Sequence, residues 1–235
     1  RRSAAIHGKN NGAIGYLITD WGDFGHWQHL PVSYAGFAYG AALSWSVDHN
    51  LEADTAQYLN RFIFADRSEG IGQLLLDLGN YYQLESSINR SNDAEMSLLL
   101  RTHLDNFLII EKLTEEHFNN LEEYLLSIEA RLSGLDLQCE DAALVLKELS
   151  NGIHFVKHAV QLGRIKLQLT SAPDSLDPAL ITKQINDLDV LLHQYGLLWT
   201  ERNRLGGLEQ SISKLQRLRS QYEALKAELS ASVSS

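Results

Sequence analysis

The sequence predicts a mainly α protein in which one βα unit is followed by an all-α region ending in an antiparallel helix bundle. Three observations predict it. There are only 3 prolines in 235 residues, a scarcity that, beside a large leucine count, favours long helices over a turn-rich β-sandwich. Leucine-rich stripes stepping by three and four residues run almost unbroken from Thr114 to Leu229. The chain also divides by composition. Residues 1–45 hold 7 of the 16 glycines and 3 of the 4 tryptophans, but only two acids and three bases. That segment carries +1 of the −10 formal charge, so −11 falls on a Leu-rich and Glu-rich remainder. A boundary near residues 46–52 separates a first unit, 1–50, from a helical unit, 51–235.

In the first unit, Ala13 to Thr19 (AIGYLIT) is a short apolar run bounded by glycines, as expected of a strand buried on both faces. The loop DWGDFGHWQHLP follows. The stretch from Val32 to Ser46 then reads as a helix, with Pro31 and Ser33 at its start. A lone parallel strand cannot satisfy its backbone groups or cover its faces, so its neighbours are expected upstream or in another chain. The chain opens on Arg1 with no initiator Met and no signal-peptide succession, which reads as a fragment or processed chain.

Shorter helical patterns cover 53–64, 71–84 and 94–104, interrupted by glycines and by SINRSND. Phe118, Leu121, Leu125, Ile128 and Leu132 then share one helix face. Ala142, Leu146, Leu149, Ile153, Val156, Val160, Gly163 and Leu167 mark a long amphipathic helix. Ile185, Leu188, Leu192, Tyr195 and Trp199 mark the next, and Leu208 to Leu229 the last. Four such helices joined by short links predict an antiparallel bundle, whose broad Leu stripes suit pairing of two copies.

Hydrophobic residues at 44% and charged ones at 21% provide for a real core and exclude a compositionally disordered chain. The acidic balance argues against binding a phosphate backbone, so nucleic acid is excluded as a partner. No run reaches the roughly 20 apolar residues of a membrane helix. The single Cys139 excludes an intrachain disulfide framework and a Cys-rich zinc module, and fits a reducing, cytoplasmic compartment.

The chemistry-bearing segment is Asp20-Trp21-Gly22-Asp23-Phe24-Gly25-His26-Trp27-Gln28, where the buried strand ends. Ligand sites of parallel α/β structures lie at the carboxyl ends of strands. A tryptophan beside carboxylates suits a sugar, because the indole covers the apolar face of a pyranose while carboxylates accept hydrogen bonds from its hydroxyls. The alternative is that Trp21 and Trp27 are core aromatics and Asp23 a cap.

The segment GYLITDWGDFGHWQHLPVSYAGFAYGAALSW resembles the eighth strand and eighth helix of the (β/α)8 barrel in glycoside hydrolase family 20, the β-N-acetylhexosaminidases. The region behind it is similar to the C-terminal helical domain of some bacterial members, including the stretch LLWTERNRLGGLEQS, Leu197 to Ser211. The resemblance implies that Trp21 lines the pocket for a terminal N-acetylhexosamine and that Asp23 binds its O4 and O6 hydroxyls. The family more commonly has Glu at the position of Asp23. Asp20, His26 and Trp27 are additional candidates in the same loop. Family 20 enzymes are retaining and substrate-assisted: the acetamido oxygen attacks C1, an Asp orients it, and an adjacent Glu serves as acid and then base. That pair belongs to the fourth strand, so the resemblance implies no catalytic residue, cofactor or metal in this chain, and no activity for it alone.

Other constellations have plainer readings. His154 and His158 have the i, i+4 spacing of a metal pair, but the stripe above places both on the outer face of their helix. Cys139 has no partner identifiable by spacing and reads as inert, and the Glu115-Glu116 and Glu122-Glu123 pairs read as solvated helix faces. Arg202, Arg204 and Gly206-Gly207 mark a turn between helices. Two rival expectations remain: a stand-alone helical interaction module, and a fragment of another (β/α)8 glycosidase family.

Overall fold

A computed structural model describes residues 2–21, 25–86 and 94–233. Its helices are α1 (Arg2–Asn10), α2 (Tyr34–Trp45), α3 (Val47–Asn50), α4 (Thr55–Tyr58), α5 (Ile71–Leu78), α6 (Glu95–Arg101), α7 (Glu115–Leu132), α8 (Ala142–Ser171), α9 (Pro178–Arg202) and α10 (Leu208–Val233). A wide π-type turn, Leu59–Ile63, continues α4, and no strand occurs among the described residues. The chain is therefore mainly α.

Helix ends follow local chemistry. Asp54 caps α4 by accepting from the Gln57 N–H at 2.9 Å. Thr114 and His117 form a reciprocal cap on α7. Asp177 accepts from the Ala179 N–H at 2.8 Å ahead of Pro178, where a missing N–H costs nothing.

The last four helices form an antiparallel bundle, as their cross-links show. Glu129 of α7 meets His154 and Lys157 of α8, while the earlier Glu122 meets the later Arg164. Asn151 of α8 reaches the Leu191 carbonyl of α9, while the later His158 meets the earlier Asp187. Asp189 of α9 in turn binds Arg219 of α10.

α7 buries the five residues of its expected stripe and little else. α8 differs. It packs against α6, α7 and α9, so residues on several faces are buried, among them Val145, Glu148, Asn151, His158 and Lys166, which lie off the expected stripe. The outer-face placement of His154 and His158 is corrected here. His158 is buried between Asp187 Oδ2, 2.6 Å from its Nδ1, and the Tyr222 hydroxyl, 3.2 Å from its Nε2. His154 pairs with Glu129 instead. Lys166, also buried, donates to the carbonyls of His103 and Asn106 at 2.8 and 2.9 Å. Gly163 belongs to the stripe because α7 crosses there: a Cβ would lie 2.4 Å from Phe118 Cε1.

The first unit differs from expectation in two ways. Arg2–Asn10 is helical although the sequence signals no helix there, and it is tied down by ion pairs from Arg2 to Glu52 and Lys9 to Asp48. Ala13 to Thr19 carries no secondary structure, since no neighbouring strand among the described residues takes its N–H and C=O groups. Tyr16 donates its hydroxyl to the Gly40 carbonyl at 2.6 Å and lays the run on α2. Tyr16, Ile18 and Phe37 are half-buried. Ile14 at 109% and Leu17 at 84% exposure face outward. α2 contains no Asp, Glu, Lys or Arg and ends on Trp45, 90% exposed.

At the start of α6, the Glu85 carboxylate accepts from the backbone N–H groups of Glu95 at 2.6 Å and Met96 at 3.0 Å. Burial nevertheless pushes its pKa up to about 7, the two donors pulling the other way. Between pH 4.5 and 7 the folded chain holds a proton here that the unfolded chain has released. The contribution of this group is thus fully present below 4.5 and lost as pH rises through 7. Urea unfolding across that interval is expected to show wild-type stability falling with pH relative to Glu85→Gln. Parallel trends in the two proteins would contradict it.

Candidate functional site

The loop after residue 19 holds the sequence-predicted site, and its described residues divide into an exposed side and an anchored side. On the exposed side, the Trp21 indole is 68% exposed, with its N–H donating to Thr19 Oγ1 at 2.7 Å. Gln28 Nε2 donates to the Trp21 carbonyl at 3.3 Å. Asp20 Oδ2 accepts from Ser33 Oγ at 2.7 Å and lies 3.5 Å from His26 Nε2. These contacts bring Asp20, Trp21 and His26 together at one edge of the loop. Asp23, with Gly22 and Phe24, lies outside the described residues.

On the anchored side, Trp27 is 9% exposed and its indole N–H donates to the Ser211 carbonyl of α10 at 2.8 Å. It belongs to the hydrophobic core that runs through the bundle, so its position is that of a packing residue. The backbone at Gly25 takes φ +98°, and a Cβ there would stand 3.1 Å from Trp27 Nε1 and 3.4 Å from Ser211 Cα. Glycine is what lets the loop lie flat on α10. Tyr195 of α9 donates its hydroxyl to the His26 carbonyl at 2.7 Å. Burial pushes that phenol up to about 12, so the donor keeps its proton.

His29 is buried too, its Nε2 lying 2.9 Å from Asn151 Oδ1 of α8 and its ring centroid 5.6 Å from that of Tyr195. Burial lowers the His29 pKa against the effect of the Asn151 hydrogen bond. Beneath this region Arg202, at the end of α9, binds both oxygens of Glu148 at 2.6 and 2.8 Å and Asp141 at 2.6 Å. Glu148 is 1% exposed. The turn after Arg202 has Gly207 at φ +89° and the Trp199 indole N–H bonded to the Arg204 carbonyl at 2.7 Å.

Chemically, the exposed side offers an uncovered aromatic face and a carboxylate held in place by a hydroxyl, which suits recognition of a polyhydroxylated ring. Asp20 and His26 alone do not flank a bond as an acid and base pair would. Among the described residues no group of three or more His, Cys, Asp or Glu converges as metal ligands do. The Cys139 thiol is pushed up by burial and by neighbouring Asp141, away from a reactive thiolate. No helix among the described residues is long and apolar enough to cross a membrane.

Sequence reasoning did not assign roles to Tyr195, Asn151 and Ser211, which hold the loop. Tyr195 sits in an apolar helix stripe where spacing reads only as core, and Asn151 lies off the expected stripe of α8. Ser211 ends the stretch 197–211, which was singled out by resemblance without a role.

Comparison with known proteins finds no matching family model, no similar curated protein and no similar solved structure.

Proposed function

We propose that this chain is the C-terminal part of a retaining exo-β-N-acetylhexosaminidase. In this reading residues 1–50 end a (β/α)8 barrel and residues 51–235 form a helical domain behind it. Trp21 covers the apolar face of a terminal N-acetylglucosamine or N-acetylgalactosamine, and Asp23 binds its outer hydroxyls. The hydrolytic Asp-Glu pair is supplied by the upstream part of the same barrel. Pairing of two copies through the bundle belongs to the same reading.

The observation that carries it is the contrast between the two loop tryptophans. Trp27 packs and uses its N–H, whereas Trp21, two-thirds exposed, has no packing role comparable to it. The apolar run 13–19, with Ile14 and Leu17 uncovered, and an α2 free of charge add the support of a barrel strand and helix awaiting neighbours. A stand-alone interaction module is the second reading; full burial of Tyr16, Ile18 and Phe37 would favour it and wide exposure the barrel fragment, and all three are half-buried.

The test is hydrolysis of a chromogenic β-N-acetylglucosaminide by the full-length protein, with this chain alone as control. The proposal expects turnover by the former and none by the latter. A folded but inactive full-length protein transfers the weight to the interaction module.

A further inference from the structure

The loop that carries the candidate sugar residues is held from behind by the helical region. One of its anchors reaches the residue that borders the exposed side. Tyr195 Oη donates to the carbonyl of His26, whose ring lies 3.5 Å from Asp20, the neighbour of Trp21. The tyrosine ring is itself locked. It is 1% exposed and packs on His29, Phe155 and Trp199 with centroids 5.6, 5.9 and 5.9 Å away, so its hydroxyl points in a fixed direction. A hydrogen bond from a side chain without rotational freedom fixes its acceptor better than one from a surface residue.

We infer that Tyr195 is a positioning residue for the sugar loop: by holding the His26 carbonyl it sets the conformation in which Asp20 and Trp21 meet the substrate, so that the helical domain governs substrate affinity. The inference rests on the hexosaminidase reading for the identity of the substrate, and on the observed hydrogen bond for the clamp. Tyr195 and the Ser211 carbonyl, which closes the stretch 197–211, bracket the loop from α9 and α10.

Tyr195→Phe keeps the ring packing and deletes one hydroxyl. The matched control is Tyr222→Phe, which deletes a buried hydroxyl from the same bundle where it meets His158 Nε2 rather than the loop. Two readouts are taken: amide hydrogen exchange of residues 25–29 in this chain, and KM and kcat of the full-length protein on a chromogenic β-N-acetylglucosaminide.

Loss of the hydroxyl, which meets the His26 carbonyl and the Ser211 side chain, is expected to speed loop exchange about fivefold in Tyr195→Phe. KM is expected to rise about fivefold with kcat changed less than about twofold, the pattern of lost uniform binding. Tyr222→Phe is expected to match wild type in both readouts. Unchanged loop exchange in Tyr195→Phe overturns the inference, as do equal effects of the two substitutions. Faster loop exchange in Tyr195→Phe, in a full-length protein without hexosaminidase activity, supports the clamp and overturns the hexosaminidase reading.

Discussion

Replacing Trp21 by alanine in the full-length protein is expected, on the proposed hexosaminidase function, to lower kcat/KM for a β-N-acetylglucosaminide about 100-fold, or about 2.7 kcal/mol of transition-state stabilisation. An indole covering a pyranose face removes a large apolar area from water, and alanine restores almost none of it. Stability should stay within about 0.5 kcal/mol of wild type, because a side chain 68% exposed leaves no cavity behind. Activity and thermal unfolding measured on the same preparation separate the two effects. A Trp21→Ala protein with wild-type kcat/KM would remove Trp21 from the substrate site.

The largest stability effect is expected at Arg202. Its guanidinium takes both oxygens of Glu148, a carboxylate 1% exposed, and extends to Asp141. The Glu148 hydrogen bonds and charge hold the arginine protonated even more firmly than usual. Arg202→Ala strands the Glu148 charge in the core, and the expected loss is about 3–5 kcal/mol by urea unfolding. The double substitution Arg202→Met with Glu148→Met should recover most of that loss, because the cost lies in the unpaired charge rather than in the missing attraction. A single substitution costing under about 1 kcal/mol would mean that water reaches Glu148.

What was legible in the sequence depended on how many faces each helix buries. α7 packs through one face, and its stripe of Phe118, Leu121, Leu125, Ile128 and Leu132 was readable in full. α8 is enclosed by α6, α7 and α9, so a single stripe understated its burial and left His158, Asn151 and Glu148 outside the expected core. Polar residues there are paired, and pairing is invisible to periodicity. The stretch 13–19 has the composition of a strand, but composition cannot supply the neighbours that a strand's backbone requires.

The candidate site was legible as a location more than as a geometry. The Trp-rich loop stood out by residue type, yet which tryptophan packs and which is exposed is decided by the Ser211 carbonyl, 184 residues away. The sequence also left open how the loop is fastened, since Tyr195 resembles an ordinary core position of α9 and Asn151 lies off the apolar stripe of α8.

The most direct measurement compares hydrolysis of an aryl β-N-acetylglucosaminide with that of the matching β-glucoside by the full-length protein, following the anomer released by proton NMR. Substrate-assisted catalysis requires the 2-acetamido group, so the N-acetylated substrate should be hydrolysed with retention and the glucoside left essentially untouched. Comparable hydrolysis of both, or hydrolysis of neither by a folded protein, would contradict the proposal that this chain is part of a β-N-acetylhexosaminidase.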